Sequence, residues 1–270
     1  MPELPEVETT RRGLAPHCVG RLVRTLTVRD ARLRWPVDEK LSAMLPGMRI
    51  RSLSRRAKYL QLHFDAGLLL VHLGMSGSFR VLTQTERPGK HDHIDLILDD
   101  GVCLRYNDPR RFGSFLWFDA GTAPGPLAAL GPEPLDEAFS GAHLYRRSRG
   151  RRIAVKPFIM DASNVVGVGN IYATEALFLA GIRPDRAAGR VAEARYEALA
   201  SSIKQVLTNA IDQGGTTLRD FVGGDGKPGY FAQQLFVYGR AGEPCKTCGT
   251  LLRSHVLGQR ASTFCIACQR

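Results

Sequence analysis

From about residue 20 to residue 118, apolar and β-favouring residues come in short runs broken by polar turn residues, which is the pattern of strands. The runs fall at 21–28, 48–54, 58–64, 67–73, 77–82, 93–98, 101–106 and 112–118, with Asp65-Ala66-Gly67 and Asp99-Asp100-Gly101 as turns between neighbours. Eight short strands with close connections predict an antiparallel sandwich or flattened barrel. A short helix over 5–14 precedes them, with Pro5 suited to its first turn and Gly13 to its end. Residues 119–135 are rich in Pro and Gly, and a domain boundary is expected in or just after them. Helical patterning follows at 140–147, 170–180 and 192–213, with a short helix near 216–222. A glycine-rich stretch at 223–230 then leads to a cysteine-bearing tail.

Composition narrows the class. The 270 residues suit two domains, and 44% hydrophobic with 23% charged residues excludes wholesale disorder and collagen-like repeats. The longest apolar runs, such as 67–71, are strand-sized, so no membrane span is expected. The acidic start MPELPEVE lacks the apolar core of a signal peptide, which points to the cytoplasm. Lys+Arg 37 against Asp+Glu 26 gives +11, with a pI near 9.7. That balance calls for a polyanionic partner. Nucleic acid comes ahead of an anionic membrane, for which there is neither a basic amphipathic helix nor a lipid anchor.

Cys245, Cys248, Cys265 and Cys268 form C-x2-C-x16-C-x2-C, the spacing of a four-thiolate zinc site. A pair of disulfides is the alternative, disfavoured in a reducing compartment. Four thiolates leave no open position for water, so the metal is structural. It would hold the intervening segment as a hairpin, with Arg253, His255, Gln259 and Arg260 on a loop. Cys18 and Cys103 stand alone and read as small buried hydrophobes.

Gly167 and Gly169 precede a helical pattern with Asn170 as a good N-cap, which would form an anion cradle; a plain tight turn explains the same residues. Basic clusters at 51–58 (RSLSRRAK) and 146–152 (RRSRGRR) read either as solvated faces or as phosphate-binding walls. In NDPRRFG at 107–113, Arg110 and Phe112 could wedge into stacked bases, or Phe112 could be core. Met75, on the glycine-flanked turn HLGMSG, is either a second wedge or a core plug. At the N-terminus, removal of Met1 would leave Pro2 with a free secondary amine beside Glu3 and Glu6. An α-amine titrates at about 7.7–8.0, far below lysine. When neutral it can attack an electrophilic carbon to form an iminium ion. A helix-leading proline is the plain alternative.

Together these segments resemble one family. PELPEVETTRRGL at the start, RRAKYL at 55–60, HLGMSG, KHDH at 90–93, NDPRRFG and GPEPL at 131–135 are similar to formamidopyrimidine-DNA glycosylases. So are VVGVGNIYATEALF at 165–178, QGGTTLRDF at 213–221, GKPGYF at 226–231, VYGRAGEPC at 237–245 and the four-cysteine tail, in order from residue 2 to 269. The related oxidised-pyrimidine glycosylase, endonuclease VIII, usually begins PEGPE, whereas this chain has Leu4.

The resemblance implies an α+β protein: an N-terminal helix plus two-layered antiparallel β-sandwich lobe, and a C-terminal helical lobe with a helix–two-turn–helix and a four-Cys zinc-finger β-hairpin. The corresponding domains are 1–133, 134–235 and 236–270. It implies a base-excision repair enzyme that excises oxidised purines and cleaves the abasic site by β,δ-elimination, with one structural Zn²⁺. Its partner would be double-stranded DNA bearing 8-oxoguanine or formamidopyrimidines, lesion opposite C preferred. The enzyme would be a cytoplasmic, nucleoid-associated monomer with no membrane attachment. By the same resemblance Pro2 is the nucleophile, Glu3 assists ring opening, Lys58 serves β-elimination and Arg260 serves δ-elimination. Met75, Arg110 and Phe112 fill the vacated stack; His91, Arg110 and Arg151 contact DNA; Asn170 and Lys156 contact phosphate. The loop 216–230 closes over the lesion, with Gly223, Gly224, Gly226 and Gly229 suiting that motion. Phe158 stands where relatives can carry Trp.

Overall fold

A computed structural model describes residues 2–82, 86–215 and 235–270, and the chain forms two compact units. The short helix expected near 216–222 and the glycine-rich stretch 223–230 lie outside the described residues. Among the described residues no helix is long and apolar enough to cross a membrane.

The first unit holds the described residues up to Ala128, with 213–215. It opens with helix α1 (Leu4–Cys18), which runs through Gly13 and Pro16 rather than stopping at 14. Packing overrides the local stop signals: Leu14 and Cys18 are fully buried in the core, so the last turn is held in helical register from outside.

Eight strands follow: β1 (Val23–Val28), β2 (Ser52–Arg56), β3 (Tyr59–Phe64), β4 (Gly67–His72), β5 (Ser78–Leu82), β6 (Asp92–Leu98), β7 (Cys103–Asn107) and β8 (Ser114–Asp119), with a helical turn α2 (Leu41–Met44) between β1 and β2. They build two four-stranded antiparallel sheets, β1-β6-β7-β5 and β2-β3-β4-β8. In β3 the period is two: Leu60, Leu62 and Phe64 are buried, while Tyr59, Gln61 and His63 are half-buried. Leu26, Phe79, Ile94 and Leu96 of one sheet share a core with Leu53, Leu62, Val71 and Phe115 of the other. The second expected strand, 48–54, begins only at Ser52, because Arg49 bridges to Leu22 instead. Within the first sheet, Arg105 bonds Asp95 at 2.9 Å through both Nε and Nη2, and Arg29 bonds the same carboxylate. The unit ends with the turn α3 (Gly125–Ala128).

The second unit is helical: α4 (Gly141–Ser148), α5 (Val155–Met160), α6 (Asn170–Leu179) and α7 (Glu193–Asp212). Ser140 caps α4 by accepting the His143 N–H at 3.2 Å. Helix α7 turns Tyr196, Leu199, Ile203 and Leu207 inward, with α4 and α6 packed on it. Glu175 of α6 is buried and accepts the N–H groups of Phe236, Val237 and Tyr238 at 2.7–2.9 Å, tying the tail to the helices. Burial pushes its carboxyl pKa up, against the pull of those three donors.

The tail forms a hairpin of β9 (Arg253–Leu257) and β10 (Arg260–Phe264), turned at Gly258-Gln259 with both φ angles positive. Arg253, His255 and Arg260 therefore sit on strands and only Gln259 on the turn, which corrects the expected loop; strand pairing satisfies backbone groups that a loop of this length would leave to water.

Candidate active site and nucleic-acid interface

The N-terminus is built around the start of α1. Glu3 is the N-cap and Glu6 the third helical residue, and they form a capping box in which the Glu3 N–H donates to Glu6 Oε2 at 2.8 Å. Pro2, Glu3 and Glu6 are all buried. An amine on Pro2 would meet low-dielectric surroundings and the positive end of the helix dipole. Both disfavour its protonated form.

Helix α1 packs on β2 and β3, and Glu8 accepts from Arg55 at 3.3 Å. Arg55 also donates to the Ala57 carbonyl at 3.0 Å, holding the tight Ala57-Lys58 turn in which Ala57 has φ +55°. Lys58 is presented there. Tyr59 pairs across the sheet with His72, which the sequence had left unassigned although its motif was noted for Met75. Burial first, then the charges of Lys58 and Arg34, hold His72 down at about 4, so it is neutral near pH 7. The Gly74 N–H donates to His72 Nδ1 at 3.0 Å, which leaves the proton on Nε2.

Met75 lies half-buried in the β4–β5 turn, and Arg110 and Phe112 lie in the β7–β8 loop. Phe112 is 44% exposed, which removes the reading of it as core. The exposed Arg110 guanidinium stacks 5.0 Å from the Phe112 ring centre. His91 joins Arg80, Arg87 and Lys90 along an open basic groove.

The basic clusters are less uniform than their sequences suggest. Arg51 pairs with Asp65 at 2.6 Å, and Arg149 folds back over Tyr145 at 3.9 Å while donating to the Val191 carbonyl. Arg147 bonds Asn164 at 3.1 Å, whereas Arg151 is exposed.

In the second unit Gly169, not Asn170, is the N-cap of α6; Asn170 takes the first helical position, and its Oδ1 is buried without a hydrogen-bond partner. Lys156 is wholly buried and donates to Ala261 O at 2.8 Å and Ser262 Oγ at 2.9 Å, so here it fastens α5 to β10 rather than facing a phosphate. Arg260 opens β10 beside the turn and is exposed.

The four tail thiols converge. Cys245 and Cys268 Sγ lie 3.9 Å apart, Cys248 and Cys265 Sγ 3.5 Å, and all four within 4.8 Å of one another. Zinc–sulfur bonds of about 2.3 Å place tetrahedral sulfurs roughly 3.8 Å apart, so the donor set fits one zinc ion and not disulfides. Burial pushes the Cys18 thiol up to about 12 and Cys103 to about 11, in keeping with inert core residues.

Comparison with known proteins gives the same answer over the whole length. The formamidopyrimidine-DNA glycosylase N-terminal domain matches residues 1–115, and the H2TH domain of the same enzymes matches 130–222. Formamidopyrimidine-DNA glycosylase of Stutzerimonas stutzeri (strain A1501) is 61% identical over 270 residues, covering all of both chains. The Pseudomonas putida (strain GB-1) protein of that name is 60% identical with the same coverage. Among solved structures, a Lactococcus lactis FPG variant in complex with Fapy-dG-containing DNA superimposes with a TM-score of 0.93 at 32% identity over 100% of each chain. The MutM (FPG) protein of Thermus thermophilus gives 0.88 at 39% identity, covering 99% of this chain and 98% of its own. The chain belongs to the formamidopyrimidine-DNA glycosylase family.

Proposed function

We propose that this DNA glycosylase of damaged purines excises 8-oxoguanine and formamidopyrimidines through Pro2 and then cleaves the abasic strand. The neutral Pro2 nitrogen attacks C1′, and the C1′–N9 bond breaks with its electron pair leaving on the base. Ring opening gives an iminium ion, with Glu3 handling the proton at the sugar oxygen. Loss of a C2′ proton expels the 3′ phosphate and loss of a C4′ proton expels the 5′ phosphate; water then releases the sugar fragment from Pro2. Lys58 and Arg260 serve these departures by stabilising the charge that develops on phosphate oxygens. The observation that carries this reading is the buried Pro2-Glu3 pair at the start of α1.

Extruding the nucleotide costs about a few kcal/mol of stacking and pairing. Met75, Arg110 and Phe112 would fill the gap, with Arg110 against the orphaned cytosine, which accounts for a preference for lesions opposite C. His91, Arg151 and Asn170 would hold the backbone. Lys156, as placed, would act on that grip through β10. Cys245, Cys248, Cys265 and Cys268 would hold one Zn²⁺, whose contribution is to cross-link the hairpin that carries Arg260. We assign catalysis to 1–133, the helical DNA-binding domain to 134–235 and the finger to 236–270, in a cytoplasmic monomer acting on the nucleoid. The solved complexes of the Lactococcus lactis protein with Fapy-dG-containing and abasic-site DNA support this substrate class.

The test is incision of an 8-oxoguanine:C duplex. The wild type should leave a one-nucleotide gap with phosphate at both ends, and Pro2→Gly should lose base excision. Intact strand after wild-type treatment, or undiminished excision by Pro2→Gly, would contradict the mechanism.

A further inference from the structure

The three wedge side chains stand on two segments far apart in the chain, and both are held by one buried carboxylate. Asp108 is completely buried. Its Oδ1 accepts the Ser76 hydroxyl at 2.7 Å; its Oδ2 accepts the Tyr106 hydroxyl at 3.1 Å and the Gly113 N–H at 2.9 Å. Ser76 Oγ in turn accepts the backbone N–H of Arg110 at 3.1 Å. The middle of the Met75 turn and both ends of the Arg110–Phe112 loop therefore meet on Asp108. Its own backbone is fixed as well: its N–H donates to the His91 carbonyl at 3.0 Å, and its carbonyl accepts from Arg111 at 3.2 Å and bonds His93 Nε2 at 2.9 Å.

The segments also touch through backbone. A Cβ on Gly74 would lie 2.3 Å from the Phe112 carbonyl carbon, and one on Gly113 would lie 1.8 Å from Tyr106 Oη, so neither position admits a side chain. Arg111 has φ +58°, a left-handed conformation that non-glycine residues rarely adopt, and its guanidinium pairs with Asp30 at 3.2 Å. Strain of this kind persists only where the surroundings over-determine it. Arg111 is thus tied to Asp30 at one side of the loop while Arg110 and Phe112 stand exposed.

We propose that Asp108, acting through Ser76, is a positioning residue for lesion recognition, locking the Met75 turn and the Arg110–Phe112 loop into one rigid wedge. The inference rests on the reading of Met75, Arg110 and Phe112 as the residues that fill the vacated stack. Its physical basis is preorganisation. Segments ordered only on entering the duplex would charge their conformational entropy to the insertion step, whereas segments already locked do not.

The test uses the full-length zinc-loaded enzyme and a duplex carrying 8-oxoguanine:C with 2-aminopurine beside the lesion. Unstacking is followed by fluorescence, and excision in single turnover. Ser76→Ala and Asp108→Asn should slow both unstacking and excision by about tenfold or more, while cleavage of a preformed abasic site, with no base to extrude, changes by less than about threefold. Ser76→Ala added to Arg110→Ala should slow excision by clearly less than the product of the two single effects, since part of what Ser76 does is to position Arg110. Wild-type unstacking in both variants overturns the proposal. So does an equal fall in both reactions together with a lowered melting temperature, which marks a role in folding alone. If Met75→Ala and Arg110→Ala themselves leave unstacking untouched, the wedge reading has failed, and this inference falls with it.

Discussion

Buried carboxylates in the first unit illustrate how much of a residue's behaviour is set by partners rather than by type. Burial alone would raise the pKa of Asp95, but the hydrogen bonds and charges of Arg105 and Arg29 outweigh it and hold the group at about 2. A carboxyl depressed on folding contributes stability above its unfolded pKa and loses it as pH falls towards the folded value. The Asp95 contribution, on the order of 2 kcal/mol, should therefore be complete above about pH 4 and vanish on approach to pH 2. Asp95→Asn should destabilise the protein by about 3 kcal/mol at neutral pH, because Arg105 is left buried with only the more distant Asp92 carboxylate, at 3.9 Å, against its charge. Denaturant melts across pH should show the wild-type advantage shrinking between pH 4 and 2; a constant gap would contradict the assignment. None of this cluster was legible in the sequence, since Arg29, Asp95 and Arg105 meet only through the register of β1, β6 and β7. Asp108 was hidden for the same reason, inside a motif noted for Arg110 and Phe112. The four cysteines were legible because their chemistry lies in residue type and spacing. Pro2 drew notice by type, but its assignment as nucleophile came from family resemblance.

At the scale of elements, β-favouring runs broken by turn residues exposed all eight strands of the first unit, because turn chemistry is local and legible without the fold. Helix α1 was read too short, since the burial of Leu14 and Cys18 outweighs Gly13 and Pro16. Helix α5 was not read at all: Lys156 precedes Pro157, which biases it towards extended backbone, yet Pro157 falls in the first turn where its missing N–H is harmless. That turn carries the Lys156 ammonium to β10. Lys156→Met should keep the packing of the stem but remove the charged donor from the Ala261 carbonyl and leave the Ser262 hydroxyl only its 3.3 Å bond to the Arg260 carbonyl, loosening the hairpin by roughly 2 kcal/mol. Chelator-driven zinc release should then quicken by about tenfold or more; an unchanged rate would show that Lys156 does not hold the finger. Cys265→Ser should abolish stoichiometric zinc and tight DNA binding while the first unit keeps its own unfolding transition, as metal binding and hairpin folding are one equilibrium. Tight binding without zinc would show the hairpin to be dispensable.

Across the whole molecule, the charges behind the excess of +11 are unevenly paired. Several arginines are neutralised by Glu8, Asp65, Asp92 and Asp95, while Arg110, Arg151 and Arg260 remain exposed on turns, connections and the hairpin. Charge of this kind supplies affinity for any duplex. Selectivity for a damaged nucleotide must come from extruding it and from what then bonds to its sugar. In the proposed mechanism the chemistry rests on the nitrogen of Pro2. Borohydride reduction of the enzyme mixed with an 8-oxoguanine:C duplex, followed by mass mapping of the cross-linked peptide, reads that bond directly. An imino nucleophile requires a single adduct on Pro2 as the first residue of the mature chain. An adduct on Lys58 or another lysine, or no adduct from enzyme that excises the base, would contradict it.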